Sequence, residues 1–585
     1  MKEKNEKIPD PKTIEKEISD FLSKKFGGQV KIRPSIALPH EADLHIEETV
    51  SPERKKIDFN LKPQDLVSYL DQYIIKQDNA KGILATKICT HFNRIKYAES
   101  VTDDTDDLVG SIKNNILMIG PTGVGKTYMI KLIAKKIGVP FVKGDATKFS
   151  ETGYVGGDVE DLVRDLVREA NDDIKLAQYG IVYIDEIDKI ASCRNMIGAD
   201  VSRTGVQRAL LKPMEETQVD LKVPHDPITI IQEIERFRKT GKRDKTTINT
   251  KNILFIMSGA FTDLAPIIKK RMTDEGIGFG ARLKGSQDPF DILGHVKAED
   301  LIEFGFESEF VGRLPVLAVF EKLTEEDLFQ ILKNPNNPII LGKKLDFAAY
   351  GIEIKFMDKV LRDLAGQAFE DNTGARGLVS AVERALLTFE KALPSTKIMK
   401  FPVTRSIIQD PAKSLKKLAE SPDDGKLNET FEKLACEEKE RIKEYLTANK
   451  SNLSEKYHFT LTKSRIDIVA NYYGKHVMDI GNVIKRIKSY HDDIKKIELY
   501  FFKNRGINLV LEEDAIDFII DECVNSVIEL KDFYHRLTTE FEYGLKLVAE
   551  KTGKNRFFIT RSALLEPESY IRNLLKNTPA NSANV

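Results

Sequence analysis

The residues best suited to chemistry form a glycine-rich octapeptide that follows an apolar run and precedes a helical pattern. They are Gly120, Pro121, Thr122, Gly123, Val124, Gly125, Lys126 and Thr127. Glycines at this spacing let the backbone turn its N–H groups inward around phosphate oxygens, and the N-terminus of the following helix adds a favourable dipole. Lys126 can reach the β- and γ-phosphates of a nucleotide, and Thr127 can ligate Mg²⁺. The pattern predicts a phosphate-binding loop, with a chance glycine turn as the alternative.

Two acidic residues end a second apolar run farther along the chain. Asp185 can hold Mg²⁺ through its water shell, and Glu186 can orient and activate an attacking water. An acidic pair that caps a helix is the alternative interpretation. A third apolar run ends at Ser258, whose hydroxyl could hydrogen-bond the water or the γ-phosphate, or could lie in a plain turn.

Strands that end at one edge of a sheet would bring these side chains together. The apolar runs Asn115–Ile119, Gly180–Ile184 and Asn252–Met257 alternate with helical patterns between residues 65 and 314. Continuous apolar runs are typical of strands covered on both faces. The sequence therefore predicts an α/β domain built around a parallel sheet.

The C-terminal part of the chain repeats a pattern from residues 315–415, which predict helices around two short strands. Gly351–Asp358 is echoed by residues 506–513, and residues 403–406 are echoed by 559–562, at offsets of 155 and 156 residues. Two matches at nearly one offset predict a duplicated helical domain. The copy has no second phosphate loop before it, which favours a non-catalytic docking or scaffolding role.

Composition argues against several classes of protein. Among the 585 residues, 90 are Lys or Arg and 91 are Asp or Glu, so the chain lacks the basic excess of a dedicated nucleic-acid binder. No run approaches the roughly 18 apolar residues of a membrane helix. The four cysteines are scattered and predict neither a disulfide framework nor a structural zinc site. The charged N-terminus has no secretory signal, so we expect a cytoplasmic protein.

Six motifs in one order resemble the Clp unfoldases of the ClpX and HslU group, which are AAA+ ATPases. These motifs are 71–80, the phosphate loop, 153–156, 183–189, 309–315 and 373–377. The resemblance covers about residues 63–415. It implies an AAA+ large ATPase domain at 63–316 and an AAA+ small (lid) domain at 317–418. Outside it, the composition and the repeat predict a polar leader at 1–62, a charged helical region at 419–500 and a degenerate second lid-like domain at 501–585.

The resemblance also assigns residues to the base and to the γ-phosphate of ATP. It implies that Tyr73, Ile74 and Ile75 pack on the adenine, although Lys76 stands where the family usually has glycine. Ser258 takes the place of the first sensor residue.

Two arginines stand at positions that have known roles in the family. Arg313 corresponds to the arginine finger, which reaches the γ-phosphate bound by the neighbouring subunit, and Arg376 corresponds to the second sensor on the lid. A finger supplied by a neighbour requires a closed ring, and the family forms hexamers. The residues alone favour the other interpretation, in which Arg313 beside Pro315 caps a helix.

Two glycine-containing loops point to a task beyond ATP hydrolysis. One resembles the pore loop that grips unfolded polypeptide and consists of Gly153, Tyr154, Val155 and Gly156. The other resembles the tripeptide by which ClpX docks on the peptidase ClpP and consists of Ile277, Gly278 and Phe279. Ordinary turns that pack locally are the alternative interpretation of both loops.

The resemblance implies a homo-oligomeric ring that uses ATP and Mg²⁺ to thread protein substrates through a central pore, with ClpP as the expected peptidase. A remodelling chaperone without a peptidase and a nucleic-acid motor are the alternatives. No cysteine precedes Cys89. We therefore expect the N-terminal zinc domain of ClpX to be absent.

Overall fold

A computed structural model describes residues 59–101, 113–149, 157–191, 201–221, 247–275, 292–420, 425–525 and 530–576. Among these residues, no helix is long and apolar enough to cross a membrane.

A five-stranded parallel sheet organises the first part of the chain. The strands up to residue 319 are β1 Ile116–Ile119, β2 Phe141–Asp145, β3 Ile181–Asp185, β4 Gln218–Asp220, β5 Thr247–Asn249, β6 Leu254–Gly259 and β7 Val316–Val319. The sheet has the order β2-β3-β6-β1-β7, and β4 and β5 form a separate antiparallel pair. Every residue of β1 and β6 is buried, as expected for central strands covered on both faces. The predicted α/β fold class is confirmed.

Helices cover this sheet and close its core. They are α1 Pro63–Leu70, α2 Asp78–Val101, α3 Lys126–Ile137, α4 Glu160–Glu169, α5 Ile174–Ala177, α6 Val201–Met214, α7 Leu264–Glu275, α8 Ala298–Phe304 and α9 Ser308–Gly312, with short 3₁₀ turns at Ala146–Lys148, Ile187–Ile190 and Leu293–His295. Helix α3 begins directly after the left-handed Gly125 and ends at the left-handed Gly138. Its buried face includes Met129, Ile130 and Ile133, which hold the helix against the sheet.

A second group of elements forms a helical unit around two parallel strands. Its elements are α10 Glu325–Lys333, α11 Pro338–Ala348, β8 Glu353–Phe356, α12 Asp358–Glu370, α13 Ala375–Ala392, a 3₁₀ turn at Leu393–Ser395, β9 Lys400–Val403, α14 Arg405–Gln409 and α15 Pro411–Glu420. Strands β8 and β9 pair in parallel. We call residues 325–420 the lid.

The remaining described residues, 425–525 and 530–576, form what we call the C-terminal region. Its elements are α16 Gly425–Ala448, α17 Lys450–Tyr457, α18 Lys463–Lys475, α19 Ile480–Arg505, β10 Asn508–Leu511, α20 Glu513–Asn525, α21 Leu530–Thr552, β11 Arg556–Ile559, α22 Arg561–Leu565 and α23 Pro567–Lys576. From α19 onward, the order of helices and strands repeats that of the lid from α11 onward. Asn508 pairs with Arg556 as Glu353 pairs with Lys400, at the offsets of 155 and 156 residues seen in the sequence.

Three predicted domain boundaries fall inside elements of the structure. The boundary after residue 316 divides β7, which pairs with β1 and so belongs to the central sheet. The boundaries after residues 418 and 500 divide α15 and α19. The short run Val316–Val319 lies between two segments with helical patterns. It pairs with β1, two hundred residues earlier, so no neighbouring residues indicate that it is a strand of the sheet.

A buried carboxylate joins the C-terminal region to the lid. Glu438 of α16 contacts the ammonium group of Lys344 and accepts a hydrogen bond of 2.8 Å from Lys355 Nζ. All three side chains are buried. Burial alone would raise the pKa of Glu438, but the two ammonium groups outweigh it and hold that pKa well below its usual range.

Candidate functional site

The carboxyl ends of β3, β6 and β1 meet beside a cavity of about 560 Å³. Because these strands are adjacent and parallel, their ends bring residues from distant parts of the chain to one edge. Predicted site residues that line the cavity are Tyr73, Ile74, Ile75, Thr122, Gly123, Val124, Gly125, Lys126, Thr127, Asp185, Glu186 and Arg376. Of the predicted site residues that the structure describes, Gly120, Pro121, Ser258 and Arg313 lie outside this lining.

The phosphate loop has the backbone that its glycines predict. Gly123 and Gly125 have φ angles of 75° and 94°, in the left-handed region that favours glycine. A Cβ atom at Gly123 would lie 2.1 Å from the carbonyl oxygen of Thr373, so the loop also needs glycine for the close approach of the lid. The amide of Ala375 donates a 2.8 Å hydrogen bond to the Gly123 carbonyl. The cavity is therefore shared between the sheet domain and the lid.

Lys126 is held inside the loop by backbone carbonyls. Its Nζ donates to the carbonyl oxygens of Gly120 and Pro121 at 2.5 and 2.8 Å. Burial lowers the pKa of Lys126 to about 8, against the opposing effect of the Asp185 and Asp188 carboxylates. An anionic phosphate would stabilise this ammonium group far better than two neutral carbonyls do.

Asp185 lies at the centre of a polar network. It accepts a 2.6 Å hydrogen bond from Ser258 Oγ and a 2.8 Å bond from Lys143 Nζ, and its Oδ2 lies 3.4 Å from Thr127 Oγ1. Burial favours the neutral acid, but the bonds from Lys143 and Ser258 outweigh it and lower the pKa of Asp185. The carboxylate is therefore ionised, as a group facing a cation must be.

Sequence reasoning missed two members of this network, Tyr183 and Lys143. The Tyr183 hydroxyl lies 2.6 Å from Ser258 Oγ and 2.9 Å from Thr127 Oγ1. Tyr183 precedes Asp185 by two residues on β3, so both side chains point to the same face, and Lys143 is the residue opposite Tyr183 on β2. A polar aromatic residue within an otherwise aliphatic strand was the available signal for Tyr183. Lys143 becomes visible only once the strand pairing is known.

Glu186 has a strained backbone at the cavity wall. Its φ and ψ are 58° and 33°, a left-handed conformation that costs a residue other than glycine about 1–3 kcal/mol. The following 3₁₀ turn fixes it there, because Ile187 and Ile190 are buried in the core. Glu186 itself is exposed to the cavity, with no structural partner competing for its carboxylate among the described hydrogen bonds.

The residues predicted to contact adenine form one end of the cavity. Tyr73, Ile74 and Ile75 line it with apolar residues of the lid and its connection, including Leu323, Ile331 and Ile339. This end is suited to a flat apolar base, and the other end to phosphates.

Lys76 adopts the backbone conformation that glycine would favour. Its φ angle is 60°. Its ammonium group donates to the Lys322 carbonyl at 3.0 Å and pairs with Glu321 and Asp327 at 3.3 and 3.5 Å. These contacts offset the conformational cost of the left-handed backbone. The cavity therefore forms although Lys76 stands where the family usually has glycine.

The two predicted arginines lie in different places. Arg376, in the first turn of α13, lines the cavity. Arg313 follows α9, is 54% exposed and pairs with Glu215 at 2.6 Å. Arg313 therefore does not contribute to the cavity of its own chain.

The arrangement defines a P-loop ATPase of the AAA class, and residues 112–317 match the family model described as AAA domain (Cdc48 subfamily). The ATP-dependent Clp protease ATP-binding subunit ClpX of Treponema denticola is 40% identical over 339 residues, which are 57% of this chain and 78% of that protein. ClpX 3 of Methylococcus capsulatus is 39% identical over 336 residues, 56% of this chain and 75% of that protein. The chain belongs to the ClpX-like family of AAA+ proteins and is an ATPase.

Several predicted features lie outside the described residues. They are the pore loop 153–156, the docking tripeptide 277–279, the leader up to residue 58 and the C-terminal residues 577–585.

Proposed function

We propose that this ATPase is an ATP-dependent protein unfoldase and translocase of the ClpX type, which acts as a homo-hexameric ring on protein substrates. The observation that carries the proposal is that the nucleotide cavity is shared by the sheet domain and the lid. The Ala375–Gly123 hydrogen bond connects the lid to the phosphate loop, and Arg376 of the lid lines the cavity. Binding and release of nucleotide would then change the angle between the two parts, as in hinge-driven motors.

The donor atoms beside the phosphate loop fit Mg²⁺. The Thr127 hydroxyl and the Asp185 carboxylate lie 3.4 Å apart, and hard oxygen ligands of this kind suit Mg²⁺ that retains several waters. Bound Mg²⁺ would neutralise charge on the β- and γ-phosphates. Ser258 and Lys143 hold the carboxylate in place, and Tyr183 positions Ser258 from the other side.

Hydrolysis would use groups from two subunits. We assign Glu186 as the general base, because it is exposed to the cavity and its backbone is held in one conformation. Lys126 and Arg376 would bind the phosphates from the same chain. Arg313 lies outside its own cavity and is exposed, which suits a finger that completes the site of a neighbour in a ring.

The assignment of unfolding rests on the family resemblance of two loops. Tyr154, between Gly153 and Gly156, would grip polypeptide in the pore, and Phe279 in the docking loop would bind a ClpP-type peptidase. We expect the protein to act in the cytoplasm.

The class of substrate can be tested by stimulation of ATP hydrolysis. We expect an unfolded polypeptide such as casein to raise the ATPase rate and double-stranded or single-stranded DNA to leave it unchanged. Stimulation by DNA alone would instead identify a nucleic-acid motor and overturn the proposal.

A further inference from the structure

The C-terminal region contacts the segment that faces the adenine end of the cavity. Lys456 Nζ of α17 donates a 2.9 Å hydrogen bond to Gln72 Oε1, next to Tyr73 in the chain. The same ammonium group lies 4.5 Å from the ring centroid of Tyr69, 5.0 Å from that of Tyr457 and 5.9 Å from that of Tyr73. An ammonium group within about 6 Å of three aromatic rings is stabilised by each of their faces.

A buried amide makes a second connection at the same place. Asn336 lies in the turn between α10 and α11 of the lid and is 6% exposed. Its Nδ2 donates to the Gln72 carbonyl oxygen and to the Tyr445 hydroxyl, both at 3.1 Å, and its Oδ1 accepts from the Ile480 amide at 3.0 Å. One side chain therefore links the adenine-facing segment to two helices of the C-terminal region.

The same turn of the lid is held by two further hydrogen bonds. Asn334 Nδ2 also donates to the Gln72 carbonyl at 3.1 Å, and the Tyr473 hydroxyl of the C-terminal region donates to the Pro335 carbonyl at 3.0 Å. Asn334 and Asn337 themselves line the nucleotide cavity. The C-terminal region thus contacts the two chain segments that form the adenine end of the cavity.

The adenine-facing segment needs such support because its backbone is irregular. Helix α1 ends at Leu70 and helix α2 begins at Asp78, and between them Lys76 and Gln77 have left-handed backbone angles. Side chains must supply the contacts that a regular ladder of hydrogen bonds would otherwise provide. Gln72 receives them through both its carbonyl and its side chain.

We propose that Lys456 and Asn336 are positioning residues for the base of ATP, so that the C-terminal region is an integral part of the nucleotide site. They fix the segment from Gln72 to Ile75 in the position where it packs on adenine, and they make no contact with the phosphate loop among the described hydrogen bonds. The inference rests on the ATPase activity and is independent of whether the protein unfolds substrates.

The test compares two ligands that share phosphates and differ in the base. The affinities of Mg²⁺–ATP and Mg²⁺–tripolyphosphate are measured on the full chain with the variants Lys456→Met and Lys443→Met. Lys443 is the matched control, because its partners Glu440 and Asp467 both belong to the C-terminal region. The cation–π contacts and the hydrogen bond of Lys456 predict a roughly 5- to 30-fold weaker affinity for ATP in Lys456→Met and an unchanged affinity for tripolyphosphate.

The ratio of the ATP affinity to the tripolyphosphate affinity separates a specific effect from a general folding defect, because a folding defect would weaken the binding of both ligands. Lys456→Arg keeps a cation over the aromatic rings and should recover most of the ATP affinity. Equal weakening of ATP and tripolyphosphate in Lys456→Met would show a structural role only and would overturn the proposal. An unchanged affinity for ATP would overturn it as well.

Discussion

Replacement of Arg313 by alanine tests whether the catalytic site is completed by a neighbouring subunit. Arg313 pairs with Glu215 on the surface of its own chain, and exposed ion pairs contribute about 0.2–1 kcal/mol. An arginine finger accelerates phosphoryl transfer by about 10³–10⁵-fold, which corresponds to about 4–7 kcal/mol. The gain at the transition state therefore exceeds the cost of releasing Arg313 from Glu215, and the observed pair does not prevent a role as finger.

The variant should lose turnover and keep its fold. The Arg313 carbonyl, which accepts a 3.1 Å hydrogen bond from Asn115, remains in Arg313→Ala. We expect the ATPase rate to fall by about 10³-fold or more with little change in the affinity for ATP. Glu215→Gln, which releases the guanidinium without removing it, should change the rate by less than about fivefold and serves as the control.

A mixing experiment then shows in which subunit Arg313 acts. Arg313→Ala subunits are mixed with Glu186→Gln subunits, which keep the arginine and lack the proposed base. In rings mixed at random in equal amounts, about one site in four combines an intact Glu186 with an intact Arg313 from the neighbour, so about a quarter of the wild-type rate should return. Near-normal turnover of Arg313→Ala alone, or mixed rings that form without recovery, would refute the reasoning.

The remaining predictions concern the base, the two loops and the joint between the lid and the C-terminal region. Glu186→Gln should bind ATP and hydrolyse it about 10²–10⁴-fold more slowly in a steady-state ATPase assay; near-normal turnover would contradict the assignment of the base. Tyr154→Ala should keep ATPase activity and lose unfolding of a fluorescent substrate. Unchanged unfolding would contradict the proposed role of Tyr154 in gripping polypeptide. Phe279→Ala should abolish degradation with added ClpP and spare unfolding; loss of neither would exclude the docking role. Glu438→Ala leaves the buried Lys344 without its counter-ion and Lys355 with only the partly exposed Glu353, and should lower the free energy of unfolding by about 3–5 kcal/mol, whereas the exposed Glu432→Ala on the same helix should cost less than about 1 kcal/mol. Because the pKa of Glu438 is lowered in the folded protein, its contribution is present above its ordinary value of 4.5 and is lost as the pH falls further, so the difference between wild type and Glu438→Ala should shrink in acid.

Local motifs made the phosphate end of the cavity predictable. The glycines of the phosphate loop and the acidic pair at Asp185 are each recognisable from a few consecutive residues. Parallel strands then bring the two motifs to one edge of the sheet. The repeat in the C-terminal region was predictable because its two matches share nearly one offset. Tyr183 and Lys143 were missed because their contacts depend on which strands pair and in what register.

The contribution of the C-terminal region could not be read from the sequence. Lys456 and Gln72 are 384 residues apart, and no recognisable motif contains Lys456. Their contact depends on how the α/β domain, the lid and the C-terminal region pack together, which is set by many apolar side chains rather than by one local pattern. The predicted boundary after residue 316 falls inside β7 for the same reason, since β7 is defined by its pairing with β1.

Unfolding of a stable protein is the most direct test of the proposed function. A fluorescent protein with an unstructured tail is incubated with the full chain and ATP, together with an excess of a trap that captures unfolded chains. We predict a loss of fluorescence that requires ATP and is absent with Glu186→Gln. Fluorescence that stays constant while ATP is hydrolysed, with tails attached at either terminus, would contradict the account.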